Sequence, residues 1–395
     1  MDDTTRCVHI PDGWEKSFNG LPVPVHRGST VTFPTVDAYR RRHEALYDGY
    51  SYGLYGTPTS RALEAQIAAL DGGARAMVVP SGLAAIVLTT LACVRTGDRI
   101  LVPDNVYQPV RTVAAQFLAP LGVEAIYYPP LIGAGIGDLI DARVRLVWIE
   151  SPGSVTMEVQ DVPAIVAAAK ARGVRVAADN TWATPLRFKP LDHGVDFAVT
   201  AASKYLAGHS DVLMGAVSVR DVALYQRLRD VARFLGYGVS PEDCALVLRG
   251  IETLAVRLDR SEATALALAR RLAARPEVVE VLHPALATNP GHETWRRDFT
   301  GASGLFSVVF QPWTRPHVDA VIEALRLFAI GASWGGTKSI VAGMDPPPPR
   351  TAKPWTDRGP IVRFSIGLES ETALWADLER ALLHLASSGA ANGRP

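Results

Sequence analysis

Several features are scarce in this 395-residue chain, and each scarcity removes a class of function. Lys+Arg and Asp+Glu both number 40, so there is no surplus of either sign to hold nucleic acid or an acidic membrane surface. Only three cysteines occur, Cys7, Cys93 and Cys244, far apart and in no metal-ligand spacing. An odd, sparse set argues against a disulfide framework and for a reducing compartment. No apolar run approaches the length of a membrane span. The opening "MDDTTRCVHIPDGWEKSFNG" is acidic and has no apolar segment of the kind a secretory signal needs. No internal repeat is found. These absences predict a cytoplasmic protein, with no metal, nucleic-acid or membrane partner, whose ligand is a small molecule or another copy of itself.

What is present is ordinary globular material, 48% hydrophobic and 20% charged, enough for two or three domains with a large core. Residues 1–58 are rich in turn formers and poor in periodicity, which reads as an arm lying on a partner subunit. From residue 59 helical and strand patterns alternate. "SRALEAQIAAL" sets Leu63, Ile67 and Leu70 on one helical face, and "SGLAAIVLTTLACV" reads as a buried helix. "RILVPD", "VEAIYYP", "RLVWIES", "VRVAADN" and "FAVTAAS" read as short apolar strands between helices. That alternation predicts an α/β domain over 59–236, built on a mainly parallel sheet with its ligand at the carboxyl ends of the strands.

Beyond about residue 237 the pattern changes. "PEDCALVLRGIETLAVRLDRSEATALALARRLAARP" reads as long amphipathic helix, followed by strands at "GLFSVVFQP" and "IVRFSIGL" and helices at "PHVDAVIEALRLF" and "TALWADLERALLHLA". This predicts a smaller α+β domain over 237–395, with "MDPPPPR" a loop and "SSGAANGRP" a frayed tail.

Within this frame, Lys204 in "FAVTAASKYLAGHSD" stands at the end of an apolar run among small residues. A buried ammonium loses pKa toward the neutral amine, the form that condenses with an aldehyde. A lysine snorkelling out of a strand end would look the same. Asp179 ends "VRVAADN" and would face the same crevice if the two strands are neighbours. It suits a pyridine nitrogen kept protonated, and equally a turn cap formed with Asn180. "VVPSGLAAI", residues 78–86, places a helix N-terminus after a strand, a phosphate cradle or a plain strand–turn–helix. In "LIGAGIGDLI" the glycines alternate and miss G-x-G-x-x-G, so this segment reads as a flexible turn.

Taken together, "AASKYLAGHSD", "SGLAAI", "ESPGSVTMEVQDV", "ADNTWATP", "SWGG" and "VRFSIGLE" resemble the Cys/Met-metabolism family of pyridoxal 5'-phosphate (PLP) enzymes, from about residue 28 to 385. "SWGG" and "ESPGSVTMEV" resemble its β-lyase branch, the cystathionine β-lyases, more than its γ-acting branch. The resemblance implies PLP fold type I with a seven-stranded-type sheet. It implies that Lys204 carries PLP and moves protons, Asp179 pairs with the pyridinium nitrogen, and Gly82, Leu83 and Ser203 hold the phosphate. It further implies that Tyr107 stacks on the cofactor ring as part of the catalytic set and that Arg363 grips the substrate carboxylate. Ser333 and Trp334 would line the substrate pocket, and Tyr52 would reach the phosphate of a neighbouring subunit in a dimer or a dimer of dimers.

Two departures stand out in "YSYGLYGTPT". Leu54 takes the place of an arginine the family commonly uses on the phosphate, a contact worth ~1.5–3 kcal/mol. Tyr55 takes the place of a second arginine suited to the distal end of cystathionine, and Ala332 stands where the lyases tend to carry tyrosine. The reaction expected is β-elimination of cystathionine or another S-substituted cysteine to a thiol, pyruvate and ammonia. γ-Elimination or γ-replacement within the same family, and a non-catalytic PLP-binding regulator, are the alternatives.

Overall fold

The computed structural model describes residues 2–9, 20–311, 315–344, 350–352, 354–355 and 359–389. Seven strands make the first sheet: β1 (Arg75–Val79), β2 (Arg99–Pro103), β3 (Glu124–Tyr128), β4 (Val144–Glu150), β5 (Arg175–Asp179), β6 (Phe197–Thr200) and β7 (Gly215–Val219). Their order is β1-β7-β6-β5-β4-β2-β3, and β7 alone runs against the rest. The expected parallel α/β layer is therefore present, with one antiparallel strand inserted. The central strands β4 and β5 are apolar almost throughout, as a sheet covered on both faces requires. One face packs against the helix Val162–Lys170, and the other against the helices Gly82–Cys93 and Val222–Leu235.

A second, five-stranded sheet is ordered β10-β11-β12-β9-β8, with β8 (Val278–Leu282), β9 (Leu305–Phe310), β10 (Ala329–Ile330), β11 (Ile340–Gly343) and β12 (Ile361–Ser365). Strands β9 and β12 match the sequence expectation. β8 is not declared in the sequence reading although it is as long as β12, and β10 and β11, two and four residues long beside Gly331 and Gly343, are too short for a period of two to declare them.

The long helix expected over 241–276 is two helices, Pro241–Glu252 and Leu254–Ala273, meeting at Thr253. The break lets Arg257 turn back and donate to the carbonyls of Gly250 (2.6 Å) and Tyr205 (2.8 Å). "LIGAGIGDLI" holds a 3₁₀-helix, Gly133–Leu139, against the helix Val162–Lys170, where a flexible turn was expected. Helix Glu371–Gly389 takes in the first residues of the expected frayed tail; 390–395, like most of "MDPPPPR", lie outside the described residues.

The arm divides in two. Its first helix, Asp3–Val8, packs on its own chain: Cys7 is buried in a cluster with Leu63, Ile67 and Cys244, and Lys189 donates to Asp3 at 2.8 Å. Residues 20–55 instead leave Leu21, Val36, Tyr39, Tyr50 and Tyr52 exposed. Among the described residues no helix is long and apolar enough to cross a membrane, and no cluster of His, Cys, Asp or Glu is placed to hold a metal ion.

Candidate active site

The carboxyl ends of five co-directional strands open into one cavity of about 330 Å³, where such sheets present ligand sites. β1 leads through Ser81 into the helix Gly82–Cys93. Ser81 caps that helix by accepting from Ala84 N at 3.0 Å. Helix geometry leaves the N–H groups of Gly82 and Leu83 without an intrahelical acceptor, and both residues line the cavity. A β-carbon at position 82 would lie 2.6 Å from Cβ of Ala201, so only glycine lets the helix end approach the turn that carries Lys204.

Lys204 follows β6. Its Nζ donates to Ser333 Oγ at 2.6 Å and lies 5.4 Å from the centroid of Trp334. Burial, and secondarily Arg363, lower its pKa from 10.5 to about 8. The turn beneath it is fixed by Arg257 and by Ser203, whose hydroxyl accepts from Met214 N (2.8 Å) and donates to Met214 O (3.0 Å). Strands β5 and β6 are hydrogen-bonded neighbours, so Asp179 and Lys204 do share one crevice. Asp179 also makes the turn contacts of the rival reading: Thr181 donates to its Oδ1 through N (2.9 Å) and Oγ1 (2.5 Å). The two readings are compatible, because both bonds fall on one oxygen of a carboxylate that borders the cavity. Burial raises its pKa, against hydrogen bonds from Thr181 and the charge of Lys204.

Arg363 comes from β12, so the second sheet closes the site. It is buried, donates to the Ala332 carbonyl at 2.7 Å, and has its pKa lowered to about 10 by burial. Tyr107, on the loop after β2, lines the opposite wall. Burial and the charges of Asp179 and Glu150 raise its pKa, so its hydroxyl stays protonated at neutral pH. Gly82, Leu83, Tyr107, Asp179, Ser203, Lys204, Ser333, Trp334 and Arg363 thus meet in one place. Tyr52 and Tyr55 do not. Their rings contact each other edge-on at 6.0 Å, Tyr52 is 47% exposed, and Tyr55 lines a separate crevice with Leu54 and Arg229.

One lining residue escaped the sequence reading. Glu150 ends β4 in register with Asp179 and accepts from Tyr107 N at 2.7 Å. Burial, reinforced by Asp179, raises its pKa well above the carboxylate range. The rule that singled out Asp179, an acidic residue closing an apolar strand, would have found it in "RLVWIES".

A lysine held near neutrality, a carboxylate facing it, an open helix N-terminus and a buried arginine define an α/β enzyme of the PLP-dependent class. Comparison with known proteins agrees. The Cys/Met metabolism PLP-dependent enzyme model matches residues 4–383, and the chain belongs to that family. It is 44% identical over 380 residues (95% of this chain, 94% of the other) to a putative cystathionine beta-lyase of Rhizobium johnstonii. It is 37% identical over 383 residues (94% of each chain) to an L-alanine/L-glutamate racemase of Wolbachia pipientis. The crystal structure of cystathionine gamma synthase from Xanthomonas oryzae, in complex with aminoacrylate and cysteine, superposes with a TM-score of 0.90 at 29% identity, covering 98% of this chain and 99% of that one.

The protein is therefore a PLP-dependent enzyme, and its residues fit that cofactor. The open helix N-terminus at Gly82 and Leu83, both lining the cavity, suits a phosphate, the Lys204 amine suits an aldehyde, and Asp179 suits a pyridinium.

Proposed function

We propose that the enzyme catalyses β-elimination on an S-substituted L-cysteine, with cystathionine first among substrates, releasing a thiol, pyruvate and ammonia. The observation that carries this is Lys204: an amine near neutrality, bonded to Ser333, between Asp179 and Arg363 in one cavity. Bound PLP supplies the electron sink that makes the Cα proton of the substrate removable. Arg363 binds the α-carboxylate through its planar fork. Ser333 orients Lys204 Nζ, which takes the proton from Cα. The electron pair left at Cα forms the Cα–Cβ double bond as the Cβ–S bond breaks, Lys204 returns its proton to the departing thiolate, and one water replaces the amino group of the remaining three-carbon unit, giving ammonia and pyruvate. With PLP bound, Asp179 would keep the ring nitrogen protonated, the N–H groups of Gly82 and Leu83 would hold the phosphate, Ser203 would join them once its hydroxyl turns from the Met214 carbonyl, and Tyr107 would stack on the ring. Tyr52, exposed and remote from its own cavity, serves the phosphate of a second copy in a homodimer or a dimer of dimers, and Tyr55 lines that copy's substrate entrance.

The test is product identity. Purified holoenzyme given L-cystathionine should yield pyruvate and homocysteine. Release of 2-oxobutyrate would assign γ-chemistry instead, the reading favoured by the likeness to a gamma synthase. Interconversion of L- and D-alanine with no keto acid formed would move the enzyme toward its racemase relative.

A further inference from the structure

Three polar residues beneath the cavity are used by nothing described so far. Arg350 lies between β11 and β12 with its side chain 4% exposed, and its Nη1 and Nη2 donate to the two oxygens of Glu158 at 2.7 and 2.9 Å. One and two residues on, the same segment meets Asp104, which is fully buried: its carboxylate accepts from Thr351 N (2.9 and 3.0 Å) and Ala352 N (2.8 Å), and pairs with Arg111. A buried pair of charges is weak evidence for stability, because desolvation offsets most of the attraction. Its value is geometric, and the geometry here leads upward to the active site.

Glu158 also accepts from Asn105 Nδ2 at 3.0 Å and Thr156 Oγ1 at 2.5 Å. Asn105 and Asp104 begin the loop that presents Tyr107. Thr156 lies within the turn Gly153–Met157, whose Gly153, Ser154, Val155 and Met157 line the cavity. That turn is strained: Val155 has φ +67° and Met157 φ +55°, conformations an L-residue, above all a β-branched one, holds only when its surroundings over-determine it. The turn also sits directly on Asn105, since a β-carbon at Gly153 would fall 1.8 Å from Asn105 Nδ2.

We infer that Arg350, acting with Glu158 and Asp104, is a positioning group that latches residues 350–352 under the active site and so fixes two of its walls, the Tyr107 loop and the Gly153–Met157 turn. Arg350 touches neither substrate nor cofactor; it acts through Glu158. The inference takes the cavity to be the active site proposed above, but its first readout needs no turnover.

The experiment uses full-length holoenzyme and the variants Arg350→Met, Arg350→Lys and the double variant Arg350→Met/Glu158→Gln. The last removes the unpaired buried charge, so that folding is retained if Arg350→Met alone is unstable. All are measured well below their unfolding temperatures. The visible circular dichroism of bound PLP, read without substrate, reports the ring's asymmetric surroundings. KM and kcat for an S-substituted cysteine report the wall. Arg350→Met and the double variant are expected to lose much of the dichroic band and to raise KM about ten- to a hundredfold, the scale of ångström misplacement. Arg350→Lys, a single donor in place of a fork, should recover only part of both. Wild-type dichroism and KM in the double variant would overturn the latch whatever happens to its melting temperature. If the wild type forms no pyruvate, the proposed reaction fails, and the dichroic band still decides the latch.

Discussion

The lowered pKa of Lys204 makes a claim that can be tested before any turnover is measured. Condensation with an aldehyde needs the neutral amine. With a pKa of about 8, roughly a tenth of Lys204 is neutral at pH 7, against about 0.03% for an ordinary lysine, an advantage of roughly 300-fold in reactive species. The sign follows from the causes. Burial and the Arg363 cation disfavour the ammonium, and Asp179 favours it. Apoenzyme prepared by cofactor removal and mixed with PLP should therefore capture it covalently at a rate that climbs with pH, with its midpoint near pH 8 and a plateau about one pH unit higher. Arg363→Met removes the cation, so the midpoint should move up; Asp179→Asn removes the anion, so it should move down. Stopped-flow absorbance gives the rate, and borohydride reduction followed by peptide mapping identifies the lysine. Midpoints, unlike rates, are insensitive to how tightly each variant holds the ring. A wild-type profile still rising above pH 9.5, or label on another lysine, would refute the reasoning.

Two further expectations concern other parts of the molecule. Asp71, fully buried beneath Ser218, is pushed from 3.8 up to about 7 by burial, so its contribution is present at acid pH and lost as pH rises through 7, with a ceiling of about 4 kcal/mol. Urea unfolding at pH 5 and pH 8 should show Asp71→Asn gaining stability at pH 8 relative to wild type, and an unchanged pH dependence would show that the carboxylate is solvated. Among the cavity-lining residues the ionisable side chains with acidic or basic groups are Glu150, Asp179, Lys204 and Arg363, and in the function proposed above both cations already have work and Tyr55 replaces the distal anchor. kcat/KM for cystathionine and for S-ethyl-cysteine should therefore differ by less than the roughly ten- to hundredfold of a charged contact, and a larger preference would place the anchor elsewhere, with Arg40, Arg41 and Arg42 of the exposed arm the first residues to replace.

How much of this was legible in the sequence depends on the range of the interaction. Lys204 and Asp179 each close or follow an apolar strand, so local pattern puts them in one crevice on the condition that β5 and β6 are neighbours, which they are; for Gly82 the pattern fits a plain strand–turn–helix equally well, and the family resemblance is what joins it to the other two. Glu150 obeys the same rule and was overlooked only because it was read as part of a motif. The antiparallel strand β7 resembles its parallel neighbours in composition, and periodicity carries no sign for direction. The split at Thr253 is set by Arg257 reaching carbonyls near Lys204, some 50 positions earlier in the chain. Arg350 was illegible for the same reason, since its partner Glu158 lies 192 positions away. The arm was half legible: turn-rich composition foretold an extended segment, but not that the helix Asp3–Val8 would bind its own subunit through Cys7.

The electrostatics of the cavity also explain why its residues had to come from two sheets. Lys204 and Arg363 are both held below their ordinary pKa by burial, and Arg363 further disfavours the charge on Lys204. A single unit that folded with two such cations side by side would pay desolvation twice with no ligand to compensate. Lys204 follows β6 and Arg363 stands on β12, and each sheet has a buried cluster of its own. The cations then meet only where the sheets meet. In the function proposed above, a dianionic phosphate at the Gly82 helix end and a substrate carboxylate at Arg363 would supply the missing negative charge. Binding energy and assembly of the site are thereby coupled, and the latch at Arg350, which joins the second sheet to the wall of the first, lies on the path of that coupling.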